Sequence, residues 1–325
     1  VRSMLGWPGQ LELREQVRRG DLLGPTLHLA GPSFSGQSTP SPAAAEQRVR
    51  TQKAEGWDLL KVHPGVRRDS YDAMVRTAKA EGIAFAGHIP ADVGLLHAIE
   101  SGQETVDHLD GYIELLQGDR GPLDAAALAD VVRRTREAGV AVVPTMVLWE
   151  TIIGSASLPD MLAYPELRYM PAAEVDRWRT GYERRIGAAS FDAARARRIA
   201  ANRTVLLRAL HEGGVKILFG TDAPQQFSVP GFSIHHEFIA MRAAGMTPYQ
   251  ILHSATKAVG DYLRGGDPFG TVTVGARADL LLIEGDPFTD LAHLTRRSGV
   301  MVRGRWLPED EIQRGLAAIA ARNAR

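Results

Sequence analysis

The stretch EGWDLLKVHPG, residues 55–65, contains the element that repeats along this chain, a short apolar strand followed by a turn. Leu59–Val62 is typical of a buried β-strand, and Pro64 and Gly65 are typical of the turn that ends it. Lys61 lies inside that strand, although burying an ammonium is unfavourable unless it is paired, neutralised or modified. Only five of the 38 Lys and Arg residues are lysines. We therefore predict a chemical role for Lys61; the alternative is a strand-end lysine that reaches out to a carboxylate.

Outward from this strand, strand-like and helix-like segments alternate in units of about 25–30 residues, which predicts an α/β fold with a parallel sheet. With about one strand in each unit, we predict roughly seven strands up to the one that ends near residue 222. A (β/α)8 TIM-like barrel that lacks its first strand fits this count better than an open sheet. A chain of 325 residues is long enough for such a barrel.

The pattern changes along the chain, and we divide it accordingly. Residues 1–265 are predicted to form the barrel, strands two to eight, with a helical insertion at about 148–190. Residues 266–307 are predicted to form part of a small β-sandwich domain, and residues 308–325 a C-terminal helix. The insertion is rich in aromatic residues and is predicted to be either a lid over the pocket or an oligomer contact. The chain opens with VRSMLGWPGQ, whose first residue is Val and not an initiator Met, and we expect that an N-terminal portion is missing.

Composition narrows the class of protein. Hydrophobic residues make up 44%, charged residues 23%, and the formal net charge is zero, which gives no support for a nucleic-acid partner. No stretch approaches the roughly 18 apolar residues of a membrane span. The absence of cysteine excludes disulfides, thiolate metal ligands and thiol nucleophiles. The high Ala, Arg and Gly content favours a bacterial source. It does not distinguish a cytoplasmic protein from a periplasmic or secreted one.

Polar side chains follow three further predicted strands. His88 ends the strand in GIAFAGHIP, His108 the strand in TVDHLDGY, and Asp222 the strand in LFGTDAP. Taken alone, a strand-end histidine is more often structural, and Asp222 is equally well a turn residue. Four such side chains, Lys61 included, at the strand ends where barrel enzymes hold their active sites favour one common site.

These residue types suit a metal site. Imidazole and carboxylate groups are ligands for zinc and related ions. A neutral lysine amine reacts with carbon dioxide to give a carbamate, an anion with two oxygens that can bridge two divalent metals. Asp107 and Asp110 flank His108 and either fix an imidazole tautomer or cap the following turn.

The segments DLLKVHPG, GHIPADVG, TVDHLDGY, LFGTDAP and the closing FGTVTVGARADLLLIEGDPF…VMVRGRW resemble the amidohydrolase superfamily of metal-dependent hydrolases. More narrowly, they resemble its imidazolonepropionase-like and Xaa-Pro dipeptidase-like branch. The resemblance implies that Lys61 is a bridging carboxylated lysine and that His88 and His108 bind the second metal. It also implies that Asp222 binds the first metal and shuttles protons. The implied cofactor is a divalent metal, most simply zinc, as one or two ions.

The resemblance further implies that a metal-activated hydroxide cleaves an amide bond in a peptide-like substrate or an N-acyl amino acid. One departure stands against it, because the superfamily's His-x-His motif does not occur in this sequence. The alternative is therefore a non-catalytic or truncated barrel that binds a ligand or partner without hydrolysis. We also expect a homo-oligomer, because an open barrel edge would be exposed.

Three further residues are candidates for contacts with the substrate. His63 is predicted to lie at the barrel mouth, where it either contacts substrate or binds the turn after Pro64. Tyr112 is predicted either to hold a substrate carboxylate or to be an ordinary loop aromatic. His235 lies near the active-site face if the barrel forms, with a role in starting a helix as the alternative.

Overall fold

The computed structural model describes residues 1–263, 265 and 267–324. The chain divides into two compact units. The first unit comprises residues 1–117, 123–143 and 213–216, and the second comprises residues 118–122, 144–212 and the chain from 217 onward. The predicted domain boundary at residue 266 and the final residue, 325, lie outside the described residues.

The first unit is built from parallel β-strands and the helices between them. Its strands are β1 (Arg2–Ser3), β2 (His28–Leu29), β3 (Leu59–Val62), β4 (Ala84–Gly87), β5 (Thr105–Asp107), β6 (Ala141–Val143) and β7 (Lys216–Ile217), the last at the division between the units. Its helices are α1 (Gly9–Arg19), α2 (Pro42–Glu55), α3 (Arg68–Glu81), α4 (Leu95–Glu100), α5 (Tyr112–Leu115) and α6 (Ala125–Glu137).

The strands pair in the order in which they occur along the chain. β1 pairs with β2, and a second sheet has the order β3-β4-β5-β6-β7. Parallel bridges from Ala30 to Leu59 and from Phe34 to Val62 connect the segment after β2 to β3. The predicted α/β fold with a parallel sheet is therefore confirmed, while closure of the sheet into a barrel stays a prediction.

Local sequence explains how β3 is positioned. The side chain of Ser41 accepts a hydrogen bond from the Ala44 backbone N–H and so caps the start of α2. Gly56 ends that helix with a φ of 89°, a left-handed conformation that glycine adopts without strain. All four residues of β3 are buried. Lys61 is near its carboxyl end and His63 directly follows it, at the end of the strands where barrel enzymes hold their active sites.

The second unit is mainly helical. Its helices are α7 (Met146–Ile153), α8 (Leu158–Leu162), α9 (Ala172–Ile186), α10 (Ala193–Glu212), α11 (Ser233–Ala243), α12 (Pro248–Ala255), α13 (Lys257–Tyr262) and α14 (Glu309–Asn323), with 3-10 turns at Pro165–Tyr169 and Leu291–Thr295. A small antiparallel sheet has the order β10-β9-β8, formed by β8 (Leu280–Ile283), β9 (Arg297–Val302) and β10 (Arg305–Pro308). Among the described residues, none of the helices combines the length and hydrophobicity that a membrane span requires.

Aromatic residues of α9 are buried within the second unit. Trp178 and Tyr182 pack with Met161, Phe227 and Val229 in one apolar cluster. The ring centroids of Trp178 and Phe227 lie 5.8 Å apart. These two aromatic residues of the predicted insertion therefore contribute to an intramolecular core, and they hold the segment that follows Asp222 along the chain.

Candidate active site

Lys61 is paired with a buried carboxylate. Its Nζ atom lies 3.1 Å from Oδ2 of Asp107, and each side chain is less than 5% exposed. Oδ1 of the same carboxylate accepts hydrogen bonds from Arg2 Nη2 at 3.1 Å and from Thr105 Oγ1 at 2.8 Å. The lysine is thus an ammonium ion held by a partner 46 positions away in the sequence. Sequence reasoning did not identify Asp107 or Arg2 in this role.

The electrostatics of Asp107 follow from these contacts. Burial by itself would raise the pKa of its carboxyl group. The positive charges of Lys61 and Arg2 outweigh burial and hold the pKa well below its ordinary value. Asp107 is therefore ionised at neutral pH and stabilises the two cations beside it.

Two of the predicted metal ligands are adjacent. The ring centroids of His88 and His108 lie 4.5 Å apart. Nδ1 of His88 lies 2.6 Å from Oδ2 of Asp110, the arrangement that fixes the ring and leaves Nε2 for a metal ion. His108 adopts a φ of 66°, an uncommon conformation for a residue with a side chain, and such conformations cluster at functional sites.

His63 completes a row of three imidazoles. Its ring centroid lies 4.7 Å from that of His88, in an edge-on arrangement. Burial, together with the positive charges of His88 and Lys61, lowers the pKa of His63 to about 4. At neutral pH this ring is therefore uncharged and can exchange hydrogen bonds without adding positive charge to the cluster.

A glycine allows Lys61 to approach the next strand. Gly87, the last residue of β4, has a φ of 126°, and a Cβ atom added there would lie 2.9 Å from Lys61 Cδ and 2.5 Å from the Val62 carbonyl oxygen. Gln103 is fully buried and donates from Nε2 to the Gly87 carbonyl oxygen at 3.1 Å. These contacts fix the strand end immediately before His88.

Asp222 belongs to the second unit, where its carboxylate is held by a nearby amide. Gln225 Nε2 donates to Asp222 Oδ2 at 2.6 Å and to its backbone oxygen at 3.1 Å. Asp222 itself has a φ of 57°. Its role as proton carrier stays a prediction carried by the sequence pattern.

The two remaining candidates have contacts of their own. Tyr112 is fully buried, and its hydroxyl lies 2.8 Å from Thr135 Oγ1 in α6, which favours a packing role. His235 is half-buried, and its ring contacts that of Phe238 edge-on. Burial and the charge of Arg297 lower the pKa of His235. Within the second unit it is the neighbouring His236 that bonds a carboxylate, Oε1 of Glu166, at 2.6 Å.

The donor set of the first unit fits a divalent metal in part. His88 and His108 supply adjacent nitrogens, and Asp110 supplies the outer carboxylate that such sites use. Among residues 1–263, 265 and 267–324, no three histidine, aspartate or glutamate side chains are arranged to bind one ion. The sequence pattern offers Lys61 as a further ligand, but its Nζ atom is paired with Asp107.

Comparisons with known proteins agree with this architecture. The model of the amidohydrolase family matches residues 5–307. No curated protein matches the chain. Among solved structures, bottromycin amidohydrolase superposes with a TM-score of 0.74 at 25% identity, over 99% of this chain and 74% of that one.

Two further structures share the fold at lower identity. A Xaa-Pro dipeptidase with methionine bound in its active site has a TM-score of 0.65 at 22% identity, covering 95% of this chain and 74% of that one. The ochratoxinase of A. niger has a TM-score of 0.67 at 16% identity, covering 94% and 71%. These similarities support a TIM-barrel-like α/β fold.

Proposed function

This chain belongs to the amidohydrolase family, and from that premise we propose that it hydrolyses an amide bond with a divalent metal, most simply zinc, as cofactor. The proposed substrate is peptide-like or an N-acyl amino acid. The observation that carries the proposal is the adjacency of the His88 and His108 rings, with Asp110 bonded to the first of them.

Each residue has a distinct part in this proposal. His88 and His108 would hold the metal. Lys61 would join them after it leaves Asp107, loses its ammonium proton to solvent and adds carbon dioxide, a step that releases one more proton and gives a carbamate anion. When bound, the metal lowers the pKa of a water molecule and polarises the amide carbonyl. Asp110 orients His88, and His63, uncharged at neutral pH, offers a hydrogen bond without charge repulsion. For Asp222 we retain the role of proton carrier that the sequence pattern implies.

A second candidate function is a family member that binds a ligand without hydrolysing it. The Lys61–Asp107 ion pair favours it, because an ammonium cannot act as a metal ligand. A substrate-binding role for His235 would be compatible with either candidate, whereas Tyr112 is fully buried with its hydroxyl bonded to Thr135.

Metal content separates the two candidates. We expect wild-type protein to retain about one zinc ion per chain and to hydrolyse dipeptides or N-acyl amino acids. His88→Asn and His108→Asn should lose both properties, whereas His253→Asn, on an exposed face of α12, should keep them. A metal-loaded chain without hydrolysis would support the second candidate. Equal zinc in all four proteins would contradict the assignment of the metal to His88 and His108.

A further inference from the structure

A cavity of about 560 Å³ opens in the first unit between the segment after β1 and the loop after β2. That volume is within the usual range for a small-molecule site. We call it the Arg48 cavity after the residue of α2 that contributes its charge. Its lining includes Leu5, Trp7, Ser33, Ser35, Gln37 and Arg48.

Arg48 gives this cavity its electrostatic character. It is the only charged residue among the described residues of the lining. Its Nη2 donates to the Pro32 carbonyl oxygen at 2.9 Å, and its guanidinium stacks over the Phe34 ring at 5.5 Å. Its Nε atom is buried and has no acceptor within the part of the chain that the structure describes. A guanidinium has five N–H donors. With one bonded to the Pro32 oxygen and the Nε–H buried, the remaining three are available to an anion in the cavity.

The charge of Arg48 is also weakly compensated. Burial lowers the pKa of its guanidinium, and the charge of Glu55 only partly offsets this effect. Across the described ranges, no carboxylate oxygen forms an ion pair with Arg48. An anionic group bound in the cavity would therefore stabilise the charged guanidinium of Arg48.

The rest of the lining is neutral and ordered. Ser38 Oγ accepts from the Ser35 N–H at 2.8 Å and donates to the Ser33 carbonyl oxygen at 2.9 Å, which fixes the loop. Leu5 and Trp7 are 59% and 54% exposed and form an apolar wall. The cavity thus offers one cation beside an apolar surface, which suits a ligand that carries an anion next to a hydrophobic group.

The loop of this cavity is hydrogen-bonded to the strand that carries Lys61. The Phe34 N–H donates to the Lys61 carbonyl oxygen, and the His63 N–H donates to the Phe34 carbonyl oxygen, both at 2.8 Å. Ser33 and Ser35 are the neighbours of Phe34 in sequence. They therefore lie at the same carboxyl ends of the strands as the imidazole cluster.

From these contacts we infer that the Arg48 cavity binds the free carboxylate of the substrate, with Leu5 and Trp7 against its apolar side chain. This inference rests on the proposed function and narrows it to amides that carry a carboxylate, such as N-acyl amino acids. Because a carboxylate matches the planar fork of a guanidinium, arginine suits this role better than lysine.

Calorimetric titration of the full chain with N-acetyl-L-leucine and with N-acetyl-L-leucinamide tests the inference. The two ligands differ in the carboxylate alone. Wild-type protein should bind the acid at least about tenfold more tightly than the amide, the usual size of a charge-assisted hydrogen bond. Arg48→Gln should abolish this preference, and Arg48→Lys should keep part of it.

Arg50→Gln is the matched control, because Arg50 is on the same helix, its side chain is 52% exposed, and it pairs with Glu46 and Glu81 at the surface. It should leave the preference unchanged. If Arg48→Gln does not fold by circular dichroism, Trp7→Ala replaces it: affinity for both ligands should fall while the preference remains. Equal binding of acid and amide, no binding of either, or an unchanged preference in Arg48→Gln would overturn the inference.

Three further outcomes distinguish this inference from its alternatives. Displacement of N-acetyl-L-leucine by an equal concentration of inorganic phosphate would identify a phosphate site and overturn the carboxylate assignment. Loss of hydrolysis with the acid preference intact would overturn the proposed function alone. Hydrolysis without any acid preference would overturn the carboxylate subsite alone.

Discussion

Lys61 and Asp107 form a buried ion pair in which Nζ and Oδ2 are 3.1 Å apart. The pair joins β3 to β5, and Arg2 brings β1 to the same carboxylate. Three strands of the first unit thus meet at one charged group. Removing one member of such a pair leaves an uncompensated charge in the interior.

We expect Asp107→Ala to lower the free energy of unfolding by about 3–5 kcal/mol, because Lys61 and Arg2 would lose their shared counter-ion. Urea unfolding at neutral pH measures this change. The control is Asp130→Ala, which removes an exposed carboxylate of α6 paired with Arg133 and Arg134 and should change stability little. Equal losses in both variants would contradict a structural role for the buried pair.

Gly87→Ala should destabilise the protein and displace Lys61. The added methyl group would lie 2.5 Å from the Val62 carbonyl oxygen and 2.9 Å from Lys61 Cδ. Gly82→Ala is a close control, because Gly82 also has a positive φ but has no atom within 4 Å of the added position. The Gly87 variant should lose about 1–3 kcal/mol more than the Gly82 variant in chemical unfolding. If the two losses are alike, backbone conformation alone accounts for both.

Asp110→Asn should weaken metal binding by about 10–100-fold, because an amide orients the His88 ring less firmly than a carboxylate. Competition with a chromophoric zinc chelator measures the affinity. Asp72→Asn alters a comparable pair, since Asp72 Oδ1 lies 2.6 Å from His97 Nε2 between α3 and α4. Its affinity should equal that of the wild type. A similar decrease in both variants would mean that the effect is not specific to His88.

Glu237 is expected to make stability depend on pH. It is buried in α11 and accepts the backbone N–H groups of Met146 and Val147 at 2.8 and 3.0 Å. Burial raises its pKa to about 7, although those two bonds and the charge of Arg203 favour the ionised form. A raised carboxyl pKa means that the folded state keeps its proton longer than the unfolded state. Its contribution to stability is therefore present below about pH 4.5 and is lost as the pH rises through 7.

The variant Glu237→Gln cannot ionise, so its stability relative to the wild type should increase as the pH rises from 4.5 to 7. Urea unfolding of both proteins at several pH values gives this difference. Glu212→Gln, at the exposed end of α10, should show a constant difference from the wild type. If the difference in stability between Glu237→Gln and the wild type does not change with pH, the pKa of the Glu237 carboxyl group is not raised and the prediction is wrong.

The helix faces show where sequence reasoning is ambiguous. His235 and His236 are neighbours, and nothing in their local sequence separates them. On an α-helix, adjacent side chains point about 100° apart, so packing decides which one meets a partner. The structure bonds His236 to Glu166, stacked under Tyr164, whereas His235 contacts Phe238. Likewise, Tyr112 follows a strand end as predicted, but packing against α6 buries its hydroxyl.

By itself the sequence determined the parallel α/β arrangement and the placement of Lys61, His88 and His108 at strand ends. Those features depend on short apolar runs and on turns, which are local. Tertiary structure decided which charges meet. Asp107 lies 46 positions from Lys61 and 105 from Arg2, and the Arg48 cavity joins the ends of two strands. Such pairings depend on how strands and helices pack, so the periodicity of a single segment does not predict them.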